Sequence, residues 1–180
     1  MYVNDIAFSN KACNTYLYVD DTTLTCSSSS VTDLNSSLQK GADYLHQWAL
    51  NNAMVIHPKK TKTMIIGSQR KLGTLTEGLC VSVNGTDINS SVSEKLLGVY
   101  LNPSLTWNEH IYKSIKKFNS RLELIRKAKT YLSDKHILLL YNLLALPTLE
   151  YCCSVWGNCS SDLLQSAATL GTETGSEVIT

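Results

Sequence analysis

Residues 15–26 read Thr15-Tyr16-Leu17-Tyr18-Val19-Asp20-Asp21-Thr22-Thr23-Leu24-Thr25-Cys26, and the fold turns on this stretch. Two runs rich in β-branched and aromatic residues, 15–19 and 22–26, are separated only by Asp20-Asp21. This predicts a β-hairpin with the two aspartates as its turn. Two-residue hairpin turns need positive φ and favour Asn-Gly or glycine-containing pairs, so an Asp-Asp turn carries a conformational cost. A costly turn that sets two carboxylates side by side points to function.

After the serine linker 27–30, Thr32 or Asp33 can cap a helix whose apolar positions Leu34, Leu38, Ala42, Leu45 and Trp48 or Ala49 recur at three and four residues, ending near Asn51-Asn52. A short strand is predicted over 63–66, stopped by Gly67. A looser pair follows over 80–83 and 87–89 around the turn signal Asn84-Gly85. Residues 96–101 read as another strand, ended by Asn102-Pro103. Beyond it the pattern is helical: Asn108 caps a segment with Ile111, Ile115, Phe118, Leu122 and Ile125 on one face, and Ser133 caps a second that runs from Asp134 to Leu146 and stops at Pro147. The fold class is therefore α+β. A mixed part covers 1–101, a helical part 102–160, and the polar stretch 161–180, without periodicity, is expected to be a disordered tail.

With 43% hydrophobic and 17% charged residues in 180, the chain is globular, and neither fibrous nor disordered. Its net charge of +1 names no partner, but the charge is unevenly placed. Residues 109–135 hold eight basic side chains (Lys113, Lys116, Lys117, Arg121, Arg126, Lys127, Lys129 and Lys135) against the acidic Glu109, Glu123 and Asp134, and Lys59, Lys60, Lys62, Arg70 and Lys71 form a second group. Both are candidate phosphate-facing patches, although on charge alone a solvated helix face is the commoner explanation. The six cysteines show no zinc spacing, and no signal peptide precedes them. They are expected to be small hydrophobes in a reducing intracellular compartment, cytoplasmic or nuclear and not secreted, with no disulfide-linked partner. The sequons at Asn35, Asn84 and Asn158 are then chance matches. The longest apolar run, 137–146, falls short of the roughly 20 residues a membrane helix needs, so no membrane partner is expected.

Adjacent carboxylates are a compact source of hard oxygen ligands of the kind Mg²⁺ prefers, with water and substrate phosphate completing its shell. Taken alone, an Asp-Asp pair is more often an ordinary exposed turn. Its surroundings reverse that weighting. Tyr18-Val19-Asp20-Asp21 with Thr22-Thr23-Leu24 resembles the Tyr-x-Asp-Asp box of reverse transcriptases, in the form found in non-LTR retrotransposons of the jockey and LINE-like kind. Further landmarks of that family follow in order: Met1-Tyr2-Val3-Asn4-Asp5-Ile6; Trp48, then Lys60-Thr61-Lys62-Thr63-Met64-Ile65-Ile66-Gly67; Lys95-Leu96-Leu97-Gly98-Val99-Tyr100-Leu101; Leu105-Thr106-Trp107-Asn108-Glu109-His110-Ile111; and Tyr141-Asn142, Pro147, Leu149-Glu150-Tyr151 and Val155-Trp156-Gly157. Val19 stands where alanine is commoner, and His57 where asparagine is usual.

The resemblance implies a partial reverse-transcriptase palm followed by a helical thumb. It implies an RNA-directed DNA polymerase that works by two-metal nucleotidyl transfer on an RNA template and DNA primer with deoxynucleotides. On that reading Asp20 and Asp21 are catalytic metal ligands for Mg²⁺ or Mn²⁺, and Lys60 is a candidate general acid. Tyr18, Leu97 and Gly98 contact nucleic acid, with Leu97-Gly98-Val99 as primer grip, and Lys113, Lys116 and Lys117 touch the duplex backbone. The fingers, the first catalytic aspartate and the template box of the family would lie upstream of Met1. The two-ion site is therefore expected to be incomplete and the fragment inactive alone. Two alternatives stand beside this reading: a non-catalytic nucleic-acid-binding remnant, and a truncated retroelement relic with no function. Trp107, Tyr151 and Trp156 are expected to be core anchors, and the histidines ordinary structural residues.

Overall fold

The computed structural model describes residues 6, 12–75 and 77–159. The chain is α+β and divides into two compact units, Met1–Glu94 and Lys95–Thr180, each with its own hydrophobic cluster. Residues 1–5 of the first landmark and the tail expected over 161–180 lie outside the described residues.

The first unit opens on the predicted hairpin, with a corrected turn. Strands β1 (Asn14–Tyr18) and β2 (Asp21–Thr25) pair antiparallel, and Tyr18 faces Asp21, so the turn is Val19-Asp20 rather than Asp20-Asp21. Moving the turn by one residue shifts the pairing by two, which leaves Leu17 and Leu24 on the same face in either register. The apolar alternation therefore cannot choose between them. The left-handed conformation falls on Val19, at φ 56. A β-branched residue there costs about 1–2 kcal/mol.

Helix α1 (Val31–Asn51) starts earlier than predicted. Ser30 in extended backbone occupies the cap position expected of Thr32 or Asp33, which leaves Asp33 inside the first turn, where a carboxylate favours the positive end of the helix dipole. Its buried Ala42 packs with Val81, Val83 and Ile88, and Leu38 and Ile56 lean on that cluster. Strands β3 (Ser82–Val83) and β4 (Thr86–Asp87) flank Asn84-Gly85, both at positive φ, as the Asn-Gly signal predicts. The backbone before β3 is paired by side chains. Asn35 bonds the Gly78 carbonyl and the Cys80 N–H at 3.3 and 3.0 Å, and Gln39, one helical turn on, bonds the carbonyl and N–H of Ser82 at 3.0 and 2.9 Å. The strand expected over 63–66 shrinks to one parallel bridge between Thr63 and Ser90. A short helix not foreseen, α2 (Gln69–Gly73), is capped by Ser68, whose hydroxyl accepts from the Lys71 N–H.

The second unit replaces the expected strand 96–101 with a hairpin. Strands β5 (Glu94–Leu96) and β6 (Val99–Leu101) are joined by Leu97 and Gly98, at φ 46 and 89. Helix α3 (Asn108–Ala128) follows a turn in which the Asn102 side chain accepts from the Thr106 N–H at 2.9 Å and donates to its hydroxyl at 2.7 Å. Asn108 is the first helical residue, and the cap position belongs to Trp107 in left-handed backbone. Helix α4 (Asp134–Leu140) begins after Ser133 as predicted, but the helical run does not stop at Pro147. A π-turn over Tyr141–Ala145 precedes α5 (Leu146–Glu150), and Pro147 sits in the first turn of α5. The wide turn loosens the backbone where a proline ring would otherwise press on the preceding carbonyl. After α6 (Cys153–Trp156) the described chain ends at residue 159.

Phe118, Leu122 and Ile125 of α3 interlock with Ile137, Tyr141, Ala145 and Leu149 to form the core of this unit. The run Asp134–Trp156, 23 residues with an 18-residue window of mean hydropathy 1.4, is by length and composition alone long and apolar enough to cross a membrane. The apolar stretch 137–146 counted by itself is too short. One face of the run packs against α3.

Candidate metal and nucleic-acid site

Strand alternation fixes what the first hairpin presents. Cys13, Thr15, Leu17, Thr22, Leu24 and Cys26 share the face that carries Cys13 toward α1, where its thiol donates to the Ser37 carbonyl at 3.2 Å. Asn14, Tyr16, Tyr18, Asp21, Thr23 and Thr25 share the other. Tyr18 and Asp21 are register partners on that outer face, Tyr16 and Tyr18 are well exposed, and Asp20 projects from the turn beside Val19, which is 81% exposed. Among the described residues neither the Asp20 nor the Asp21 carboxylate makes a hydrogen bond or an ion pair. The hairpin tip is thus two free carboxylates on consecutive residues, flanked by a tyrosine pair.

Two hard oxygen donors in water suit Mg²⁺ or Mn²⁺, which take one or two carboxylates and fill the rest of the shell with water and phosphate oxygens. No group of three or more His, Cys, Asp or Glu side chains that could hold a metal occurs among the described residues. The hairpin therefore fits one part of a divalent-cation site.

Lys60 lies in the same unit, at the end of a turn in which the His57 carbonyl accepts from the N–H of Lys60 and the N–H and hydroxyl of Thr61, at 3.0, 3.2 and 3.2 Å. Its ammonium is exposed and unpaired among the described residues.

In the second unit, the turn Leu97-Gly98 is held from outside. The Tyr151 hydroxyl donates to the Leu97 carbonyl at 2.7 Å, and the Trp156 indole N–H donates to the Tyr151 carbonyl at 2.8 Å. Gly98 is needed twice over: its φ is left-handed, and a Cβ there would lie 2.9 Å from Tyr151 Cε1. The expectation that Tyr151 is a core anchor needs correcting. Its side chain is half exposed and acts as a latch on the hairpin tip, whereas Trp156 is buried as expected. Buried His110 accepts from the Tyr100 N–H at 3.4 Å and lies against the rings of Tyr100 and Trp156. Burial holds its imidazole below the usual histidine pKa, in the neutral form. The sequence hinted at the latch only through the Gly of Leu97-Gly98, which a turn needs and a strand interior does not.

The three lysines assigned to the duplex backbone lie on the exposed face of α3, opposite Ile111, Phe118, Leu122 and Ile125. They are not equivalent. Lys113 is bound to the Glu109 carboxylate at 2.6 Å and stands 3.6 Å over the Tyr100 ring. The bond to Glu109 holds its ammonium above the usual lysine range. Lys116 and Lys117 carry no such partner among the described residues. Arg121 is structural, clamped to the Leu144 carbonyl and the Thr148 hydroxyl.

Against this geometry, the comparisons with known proteins are narrow. No family model matches the chain, and no solved structure matches it. One characterised relative is the RNA-directed DNA polymerase from mobile element jockey of Drosophila melanogaster, 27% identical over 162 residues, which take in 87% of this chain and 17% of that polymerase. The chain therefore spans about a sixth of the length of the relative it matches. Over most of its own length it resembles part of a non-LTR retrotransposon reverse transcriptase.

Proposed function

We propose that residues 1–180 contribute to RNA-directed DNA synthesis as a palm-and-thumb segment, with Asp20 and Asp21 as ligands of a catalytic divalent cation. The observation that carries this reading is the hairpin tip. A strained turn sets two adjacent carboxylates in solvent without a hydrogen bond or ion pair among the described residues, an arrangement with no evident structural purpose. The similarity to the jockey polymerase supports it. When bound, Mg²⁺ or Mn²⁺ would stabilise charge on the attacking and leaving oxygens of nucleotidyl transfer. Asp20 and Asp21 would orient that ion, and Tyr18, beside Asp21, would meet the nucleic acid. Lys60 would supply a proton near the departing pyrophosphate. The Leu97-Gly98 turn would contact the primer strand, and Lys116 and Lys117, with Lys113 more restrained by Glu109, would neutralise backbone phosphates. RNA template, DNA primer and deoxynucleotides are the implied partners, and the site of action is intracellular, in cytoplasm or nucleus.

Two carboxylates do not fix two ions at a set separation, so the segment by itself is proposed to be inactive. The test is primer extension on an RNA template by residues 1–180 alone and with the remainder of a jockey-type polymerase supplied in trans. The chain alone should give no product. The mixture should give Mg²⁺-dependent synthesis that Asp20→Asn abolishes. Synthesis indifferent to Asp20→Asn would overturn the assignment.

A further inference from the structure

We propose that Cys13 and Cys26 form a cross-strand disulfide on oxidation, which locks the hairpin that carries Asp20 and Asp21. The register places them. The paired register runs from Tyr18 with Asp21 out to Asn14 with Thr25, and carried one step further, just past the strand ends, it sets Cys13 opposite Cys26. Directly opposed residues of an antiparallel pair have Cα atoms roughly 4.5–5.5 Å apart, inside the span a disulfide bridges. The two side chains point to the same face, toward α1. The Cys13 thiol donates to the Ser37 carbonyl at 3.2 Å, and the Cys26 thiol approaches the Leu34 carbonyl, one helical turn away, at 4.0 Å. Cys26 is near enough to Cys13 to help raise its thiol pKa, after burial. Register, facing and a shared helical turn thus bring two cysteines, both in the thiol form, together at the open end of the hairpin. The inference does not depend on what Asp20 and Asp21 bind.

The two sulfurs differ in readiness. Burial foremost, and the neighbouring Cys26, push the Cys13 thiol up to about 11, so it is a poor first nucleophile. Cys26 is partly exposed and reacts first. With a small-molecule disulfide as oxidant, the Cys26 thiolate attacks one sulfur, forms a mixed disulfide and releases one thiolate. Cys13 then loses its proton to solvent and attacks the Cys26 sulfur, and the second thiolate leaves. Two protein thiols give up two electrons and two protons in all, and one small disulfide becomes two thiols. The bond closes the hairpin at the end opposite its turn and prevents register slippage.

The test uses the intact chain equilibrated with glutathione disulfide, alkylated and digested without reduction. The tryptic fragment 12–40 contains both cysteines and no lysine or arginine before Lys40. It should appear two hydrogens lighter, and cleavage at Asp20 or Asp21 should leave its halves joined. Cys13→Ser should trap Cys26 as the glutathione mixed disulfide, whereas Cys26→Ser should leave Cys13 unmodified. Backbone amides of residues 14–25 should exchange more slowly in the oxidised wild type, on the order of tenfold. Wild-type protein in which exposed Cys80 becomes glutathionylated while Cys13 and Cys26 stay separate and alkylatable would overturn the proposal, as would glutathionylation of Cys13 in Cys26→Ser. The wild-type mapping decides the matter even where a serine variant folds poorly.

Discussion

Replacing Gly98 by alanine tests the second unit at its tightest point. Two costs add. Alanine at φ 89 leaves the backbone region open to L-residues, at about 1–2 kcal/mol. Its methyl would also sit 2.9 Å from Tyr151 Cε1, where carbon pairs prefer roughly 3.5–4.0 Å. The ring must move, and it carries away its bond to the Leu97 carbonyl, worth about 1 kcal/mol. The total is about 2–4 kcal/mol. Urea unfolding followed by tryptophan fluorescence and circular dichroism gives the number, provided the denaturant slope is unchanged. In a Tyr151→Ala background the steric part vanishes, so Gly98→Ala should then cost only the backbone share, about 1–2 kcal/mol. Equal penalties in the two backgrounds, or a loss below about 0.5 kcal/mol in the wild type, would refute the latch.

Three more outcomes follow from particular residues. Val19→Gly should stabilise the chain by up to about 1 kcal/mol in the same unfolding assay, because glycine adopts the turn's positive φ without strain. Burial lowers the His110 pKa, so around and below the ordinary histidine value of about 6.5 the unfolded chain binds more proton than the native one. Stability should therefore fall as pH drops from about 7 toward 5, by at most about 1.4 kcal/mol per pH unit, and His110→Gln should flatten that slope. Charge reversal at Lys116 and Lys117 should lower duplex affinity irrespective of sequence and reduce the salt slope by about one per lost phosphate contact, with less effect at Lys113, already paired to Glu109.

What was legible in the sequence is what period and turn chemistry encode. The hairpin around Asp20, the long helices, the Asn84-Gly85 turn and the core face Phe118, Leu122 and Ile125 all follow from local pattern, and the α+β class follows from them. Pairing register was not legible, because both registers keep Leu17 and Leu24 together. Nor was the continuation past Pro147, which needs a π-turn that composition does not announce. The Asn35 and Gln39 amides that stand in for a strand, and the Tyr151 hydroxyl that holds Leu97, are long-range bonds made by residues whose local context looks ordinary. Of the candidate site, the sequence supplied the residue types, and the structure supplied their facing: Tyr18 with Asp21, and Lys113 tied back to Glu109 and Tyr100.

The central claim, that Asp20 and Asp21 are divalent-cation ligands, is tested most directly by Mn²⁺-induced relaxation of backbone amide signals in residues 1–180. Broadening should centre on Val19, Asp20, Asp21 and Thr22, appear only at weak-binding concentrations because water fills most of the ion's shell, be displaced by excess Mg²⁺, and disappear in Asp20→Asn/Asp21→Asn. Broadening that persists in that double variant, or that centres on another part of the chain, would contradict the account.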